Sequence, residues 1–192
     1  MPEIILASTS PYRRELLARL RLPFTTAKPH VDETRLPGEA PAALASRLAL
    51  AKAQAVAAQH PAAIVIGSDQ VAHMGDEIFS KPGTAERAIA QLRQMSGQTV
   101  LFQTALALIR QQDGIVLQES EPTEVRFRTL TDAEITRYVE MEQPLDCAGS
   151  AKAEALGISL LDALRSDDPT AIIGLPLIRL TRMLRTLGVA LP

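Results

Sequence analysis

The stretch Ala62-Ala63-Ile64-Val65-Ile66-Gly67-Ser68-Asp69-Gln70-Val71 restricts the fold more than any other part of the chain. Pro61 ends the helix before it, and five apolar residues follow, three of them large and β-branched. Such a run suits a strand buried on both faces, as in an α/β sheet covered by helices. The residues that follow are small or polar, which leaves Asp69 at the carboxyl end of that strand. Open α/β sheets place ligands at that end, so Asp69 is the first candidate for chemistry. The competing reading is a turn aspartate that caps the strand exit.

The rest of the chain supplies partners for such a strand. Ile4–Ala7 reads as a second buried strand running into Ser8-Thr9-Ser10-Pro11-Tyr12-Arg13-Arg14. Ser10 before Pro11 is an N-cap with proline at the first helical position, and Leu16, Leu17 and Leu20 supply the apolar face behind it. The free N–H groups of that helix start, two serine hydroxyls and two arginines suit a phosphate. Cations there oppose the helix dipole by roughly 0.3–1 kcal/mol, so an anion is expected to offset them, unless the arginines point to solvent or pair with Glu15.

After a possible strand at 24–27, Val31-Asp32-Glu33-Thr34 offers oxygen ligands for a hard cation, or is a solvated turn. Leu44, Leu48, Ala51, Ala55 and Ala58 repeat at helical spacing, with Lys52 at the edge of the stripe, placed to snorkel or to act. Gly75 closes a short hairpin, and Lys81 stands on a rigid loop beside Pro82. Thr84 caps a helix with Ile89, Leu92 and Met95 inward. Asp113-Gly114 turns a long hairpin, and Thr131-x-x-Glu134 is a capping box. The loop Cys147–Glu154 is rich in small residues and carries Lys152. A last helix spans 177–187, ended by Gly188.

Twenty basic and twenty-two acidic side chains leave a net charge of −2, without the footprint of general nucleic-acid or membrane binding. The three histidines lack zinc-site spacing, and Cys147 is alone. No segment approaches the roughly 20 apolar residues of a membrane span, and the first residues lack the basic and apolar regions of a signal peptide. One domain over 1–192 in a reducing cytoplasm is therefore expected.

Taken together, Ser8-x-Ser10-Pro11-x-Arg13-Arg14, Val31-Asp32-Glu33, Lys52-Ala53, Gly67-Ser68-Asp69-x-x-Val71, Lys81-Pro82, Ala148-Gly149-Ser150-x-Lys152-x-Glu154 and Gly174-Leu175-Pro176 resemble the Maf family of nucleoside triphosphate pyrophosphatases. With Tyr12, Gln70 and Glu154 the chain looks most like the YceF-type branch, whose members hydrolyse 7-methyl-GTP; other branches act on dTTP and UTP or on modified pyrimidine nucleotides. The resemblance implies a Maf/inosine-triphosphatase-like α/β fold: a long twisted mixed sheet flanked by helices, with a central cleft between two lobes. It implies Asp69 as proton acceptor, Tyr12, Gln70 and Glu154 as substrate-sorting residues, and Ser8, Arg13, Lys52, Lys81 and Lys152 on the triphosphate. It implies Glu33, with Asp69, on a divalent Mg²⁺ or Mn²⁺, and a homodimer. The chain departs from that branch at Tyr12, where a larger aromatic is usual, and at Ala151, where an aromatic is common, so base stacking is expected to be arranged differently. Cations around Asp69 are expected to lower its pKa. A non-catalytic, septum-regulating nucleotide binder is the competing reading.

Overall fold

In the computed structural model, which describes residues 2–192, the apolar run of residues 62–66 opens strand β3 (Ile64–Met74). Asp69 is not at the carboxyl end of the strand as expected; the strand continues for eight residues beyond Ile66, and Asp69 lies in its middle. The reason is backbone pairing. Strand β5 (Thr99–Arg110) runs antiparallel along β3 from Val65↔Ile109 to His73↔Leu101, so polar side chains are carried on a fully paired ladder edge. The other edge is shared. Strand β1 (Ile4–Ala7) pairs in parallel with Ile64–Ile66, and β4 (Glu77–Phe79) pairs antiparallel with Ala72–Met74. Among the described residues Gly67–Val71 have no strand partner on that side, and the opening holds the candidate site.

The remaining strands, β2 (Thr25–Ala27), β6 (Ile115–Phe127) and β7 (Leu161–Arg165), complete a seven-stranded mixed sheet in the order β2-β1-β3-β5-β6-β7, with β4 joined to β3. The β5–β6 hairpin turns at Gln111–Asp113 and Gly114 as its sequence predicts. β7 was not expected. It is an edge strand with a bulge opposite Arg126/Phe127, and its half-exposed side chains show no apolar alternation.

Among the described residues five α-helices cover the sheet: α1 (Pro11–Ala18), α2 (Pro41–Ala57), α3 (Ala85–Met95), α4 (Asp132–Glu142) and α5 (Leu177–Thr186). Ser10, Thr84 and Thr131 cap α1, α3 and α4 as expected, with Glu134 completing the capping box. On α3 the buried residues are Ala88, Leu92 and Met95, while Ile89 is partly buried. α2 packs one face of the sheet through Ala45, Ala49 and Ala53, and α1 and α5 pack the other through Leu16, Leu17, Leu180 and Leu184. A separate apolar body gathers Phe79, Leu92, Phe102, Phe127 and Tyr138 beneath α3 and α4. The cleft expected between two lobes opens between these bodies, where β1 gives way to β4.

The buried stripe of α2 differs from the expected one. Ala45, Ala49, Ala53, Val56 and Ala57 are buried beside Leu44 and Leu48, whereas Ala58 is exposed. The helix is turned by about one residue, roughly 100°. In an alanine-rich helix the periodicity is weak, and the face is decided by what it meets. It meets Gly67: a Cβ there would lie 2.2 Å from the Ala49 carbonyl oxygen and 2.8 Å from the Ala53 nitrogen. This close approach carries Lys52 from the stripe's edge into the interior, at 6% exposure.

Candidate active site

Lys52, from α2, reaches across the open edge of β3. Its Nζ donates to Asp69 Oδ1 at 2.6 Å and lies 2.8 Å from Glu33 Oε1. The snorkelling alternative is thus excluded, because the ammonium points inward and binds two carboxylates. Glu33 arrives on a loop that Arg47 holds, donating to Glu39 Oε1 at 2.6 Å and to the Thr34 carbonyl at 3.0 Å. Arg47 keeps the Glu39 pKa at about 2. Asp69 Oδ2 has no hydrogen-bond partner among the described residues.

The Asp69 pKa is raised, not lowered as expected. Burial raises it first, and Lys52 and Arg13 only partly offset that effect. The sequence could not display this balance, since the cations are visible as residue types and the depth of burial is not.

Alternation along β3 sends Ser68 and Gln70 to the face opposite Asp69, toward residues 171–174. The Gly174 carbonyl accepts from Arg13 Nε at 2.8 Å and from Ser68 Oγ at 3.0 Å. Gly174 has φ +120°, and a Cβ there would sit 3.5 Å from Arg13 Nε. Gln70 Nε2 donates to the Ala171 and Ile172 carbonyls at 3.0 and 3.1 Å and approaches Thr104 Oγ1 at 2.9 Å. Carbonyls only accept, so the amide orientation is dictated, and Gln70 has its acceptor Oε1 left for a ligand. The adjacent arginines separate: Arg13 enters the cavity wall and Arg14 is exposed, while Glu15 pairs with Arg19.

One cavity of about 680 Å³ is lined by Ser8, Tyr12, Arg13, Glu33, Lys52, Asp69, Gln70, Lys81 and Glu154. Nine of the ten residues singled out from sequence therefore share it. The tenth, Lys152, is not on its wall; its ammonium stands 5.9 Å from the Tyr12 ring centre, 3.5 Å from Glu142 Oε1 and 3.9 Å from Asp146 Oδ1. Tyr12 Oη donates to the Asp146 carboxylate at 3.0–3.2 Å. Lys28 and Asp146 also line the cavity and were missed: Lys28 stands in an irregular loop without a motif around it, and Asp146 falls just before the small-residue loop Cys147–Glu154.

The carboxylates of Glu33 and Asp69 converge on one cation, Lys52, and each keeps an oxygen without a partner among the described residues. That donor set fits a hard divalent ion completed by water and phosphate oxygens. Among the described residues no cluster of three or more His, Cys, Asp or Glu side chains forms a fuller protein cage. Cys147 borders the cavity, but burial pushes its thiol up to about 12. In the folded protein at pH 8, iodoacetamide should alkylate it roughly a hundredfold or more slower than in urea-unfolded chain; equal rates would contradict the assigned burial.

A family model described as Maf-like protein matches residues 3–187. The 7-methyl-GTP pyrophosphatase of Aromatoleum aromaticum is 61% identical over 190 residues, covering 99% of this chain and 98% of that protein. The 7-methyl-GTP pyrophosphatase of Xanthomonas campestris pv. campestris is 58% identical over 192 residues and covers all of both. A distant likeness is found to the solved Ham1 protein of Staphylococcus aureus, 16% identical, which aligns over 66% of this chain and 72% of its own with a TM-score of 0.49.

Proposed function

Because the chain belongs to the Maf family, matching it from residue 3 to 187, we propose that it cleaves the α–β phosphoanhydride of 7-methyl-GTP to 7-methyl-GMP and diphosphate. The observation that carries this reading is the convergence of Arg13, Lys52, Lys81 and Asp69 on one cavity from distant parts of the chain. A triphosphate repels an attacking oxygen until its charge is neutralised. In this reading Ser8, Arg13, Lys52 and Lys81 grip the phosphates. Lys52 has three N–H donors; two face carboxylates, and the third serves a phosphate oxygen. Lys152 adds charge from beside Tyr12.

Asp69 takes the proton of the attacking water. Its raised pKa makes it a stronger base than an ordinary aspartate, provided that the pH keeps it ionised. Glu33 and Asp69 would hold a divalent cation, Mg²⁺ or Mn²⁺, which when bound would supply Lewis acidity and charge neutralisation. Tyr12, Gln70 and Glu154 select the base: Gln70 through Oε1, Glu154 as an acceptor for the N–H edge of guanine. The same reading treats residues 1–192 as one domain and the protein as a cytoplasmic homodimer that engages neither nucleic acid nor membrane. No helix among the described residues is long and apolar enough to cross a membrane.

The test is a panel of 7-methyl-GTP, GTP, UTP, dTTP and modified pyrimidine triphosphates with Mg²⁺ or Mn²⁺, with products identified. Diphosphate should be released, and 7-methyl-GTP should rank first. A higher rank for UTP would overturn the base assignment. Binding without any product under either metal would overturn the enzymatic reading in favour of a nucleotide sensor.

A further inference from the structure

Around Tyr12 the charge is unbalanced. Asp146 Oδ1 and Glu142 Oε1 lie 3.9 and 3.5 Å from a single ammonium, that of Lys152, and Glu154 is near enough to interact with all three. Three carboxylates thus share one cation. Two of them, Asp146 and Glu154, face the cavity, whereas Lys152 does not. Near Asp69, by contrast, Arg13 and Lys52 balance Asp69 and Glu33. Lys28 and Lys81 line the same cavity but form no ion pair with Asp146 or Glu154 among the described residues, so the carboxylates beside Tyr12 outnumber the one cation paired with them.

We infer that Asp146 is a specificity-determining residue, whose carboxylate, pinned by the Tyr12 hydroxyl, favours a nucleotide carrying positive charge on its base. This rests on the proposed function and extends it beyond Tyr12, Gln70 and Glu154. The hydroxyl donates a single hydrogen to the pair of Asp146 oxygens, so acceptor capacity remains. A cationic base stacked at Tyr12 meets both the ring's π-face and a fixed negative charge. A neutral base meets the same ring and gains nothing from that charge. Asp146 is 57% exposed, so water screens the attraction and the effect is moderate.

Asp146→Asn separates charge from position, because the amide oxygen still accepts from Tyr12. The measurement is kcat/KM for 7-methyl-GTP and for GTP, whose base differs by one methyl group and one positive charge. Asp146→Asn should lower the 7-methyl-GTP to GTP ratio about tenfold, and Asp146→Glu should retain most of the preference. A ratio that stays at the unmutated value, including an equal loss on both substrates, overturns the inference and leaves Asp146 as a support for Tyr12 alone. Should Asp146→Asn fail to fold by circular dichroism, Asp146→Ser is read by the same ratio. An unmutated enzyme that cleaves 7-methyl-GTP while the variant keeps the ratio refutes only this inference. An unmutated enzyme that releases no diphosphate from 7-methyl-GTP refutes the proposed function with it.

Discussion

Asp69→Asn should lower kcat roughly a thousandfold while the protein stays folded, the loss expected when a positioned general base is removed. The substitution is nearly isosteric and leaves Lys52 bound to Glu33 at 2.8 Å. It also removes a strain on stability. Burial raises the Asp69 pKa in the folded state, so this group favours the fold most at pH values below its unfolded pKa, and that contribution is lost as pH rises through the folded pKa. At neutral pH the ionised carboxylate is therefore a cost to the fold, and the variant's melting temperature should not fall. Activity has the opposite requirement. In the unmutated enzyme kcat/KM should decline as pH drops and Asp69 becomes protonated, at a pH that burial raises and a bound divalent cation lowers. Wild-type turnover in Asp69→Asn would sink the assignment of Asp69 as base.

Gly67→Ala is the second large effect, and it acts through packing. The added methyl would stand 2.2 Å from the Ala49 carbonyl oxygen and 2.8 Å from the Ala53 nitrogen. Both are backbone atoms, so no rotamer relieves the overlap, and α2 must move away from β3. Overpacking of this kind costs roughly 3 kcal/mol, which corresponds to a fall in melting temperature of about 6–12 °C for a chain of this size. Lys52 lies between Ala49 and Ala53 on the same helix, so the displacement also draws its ammonium from Asp69 and Glu33. Turnover should fall even at temperatures where the variant is folded. A melting temperature within about 2 °C of the parent would show that the close approach does not set the helix position.

Features governed by neighbours in sequence were legible. The Ser10 cap, the Thr131/Glu134 capping box and the Asp113-Gly114 turn each depend on residues within four positions, and each formed where its chemistry predicts. Candidate residues for the site were legible as residue types in a spaced series, because phosphate and metal demand cations and carboxylates whatever the fold. Their arrangement was not legible. Arg13 is aimed by a carbonyl 161 residues away, and Tyr12 meets Asp146 across 134.

What the chain determined by itself was the inventory: a buried β-branched strand start, capped helices, and enough charged groups to hold a nucleotide tail. Tertiary structure decided three things that no local pattern contains. β5 pairing kept β3 extended past Gly67 and placed Asp69 mid-strand; the contact of Gly67 with α2 chose which helix face is buried and so turned Lys52 inward; and burial outweighed nearby cations in setting the Asp69 pKa. Each depends on what lies across a gap of a few ångströms, a distance that separation along the polypeptide does not encode.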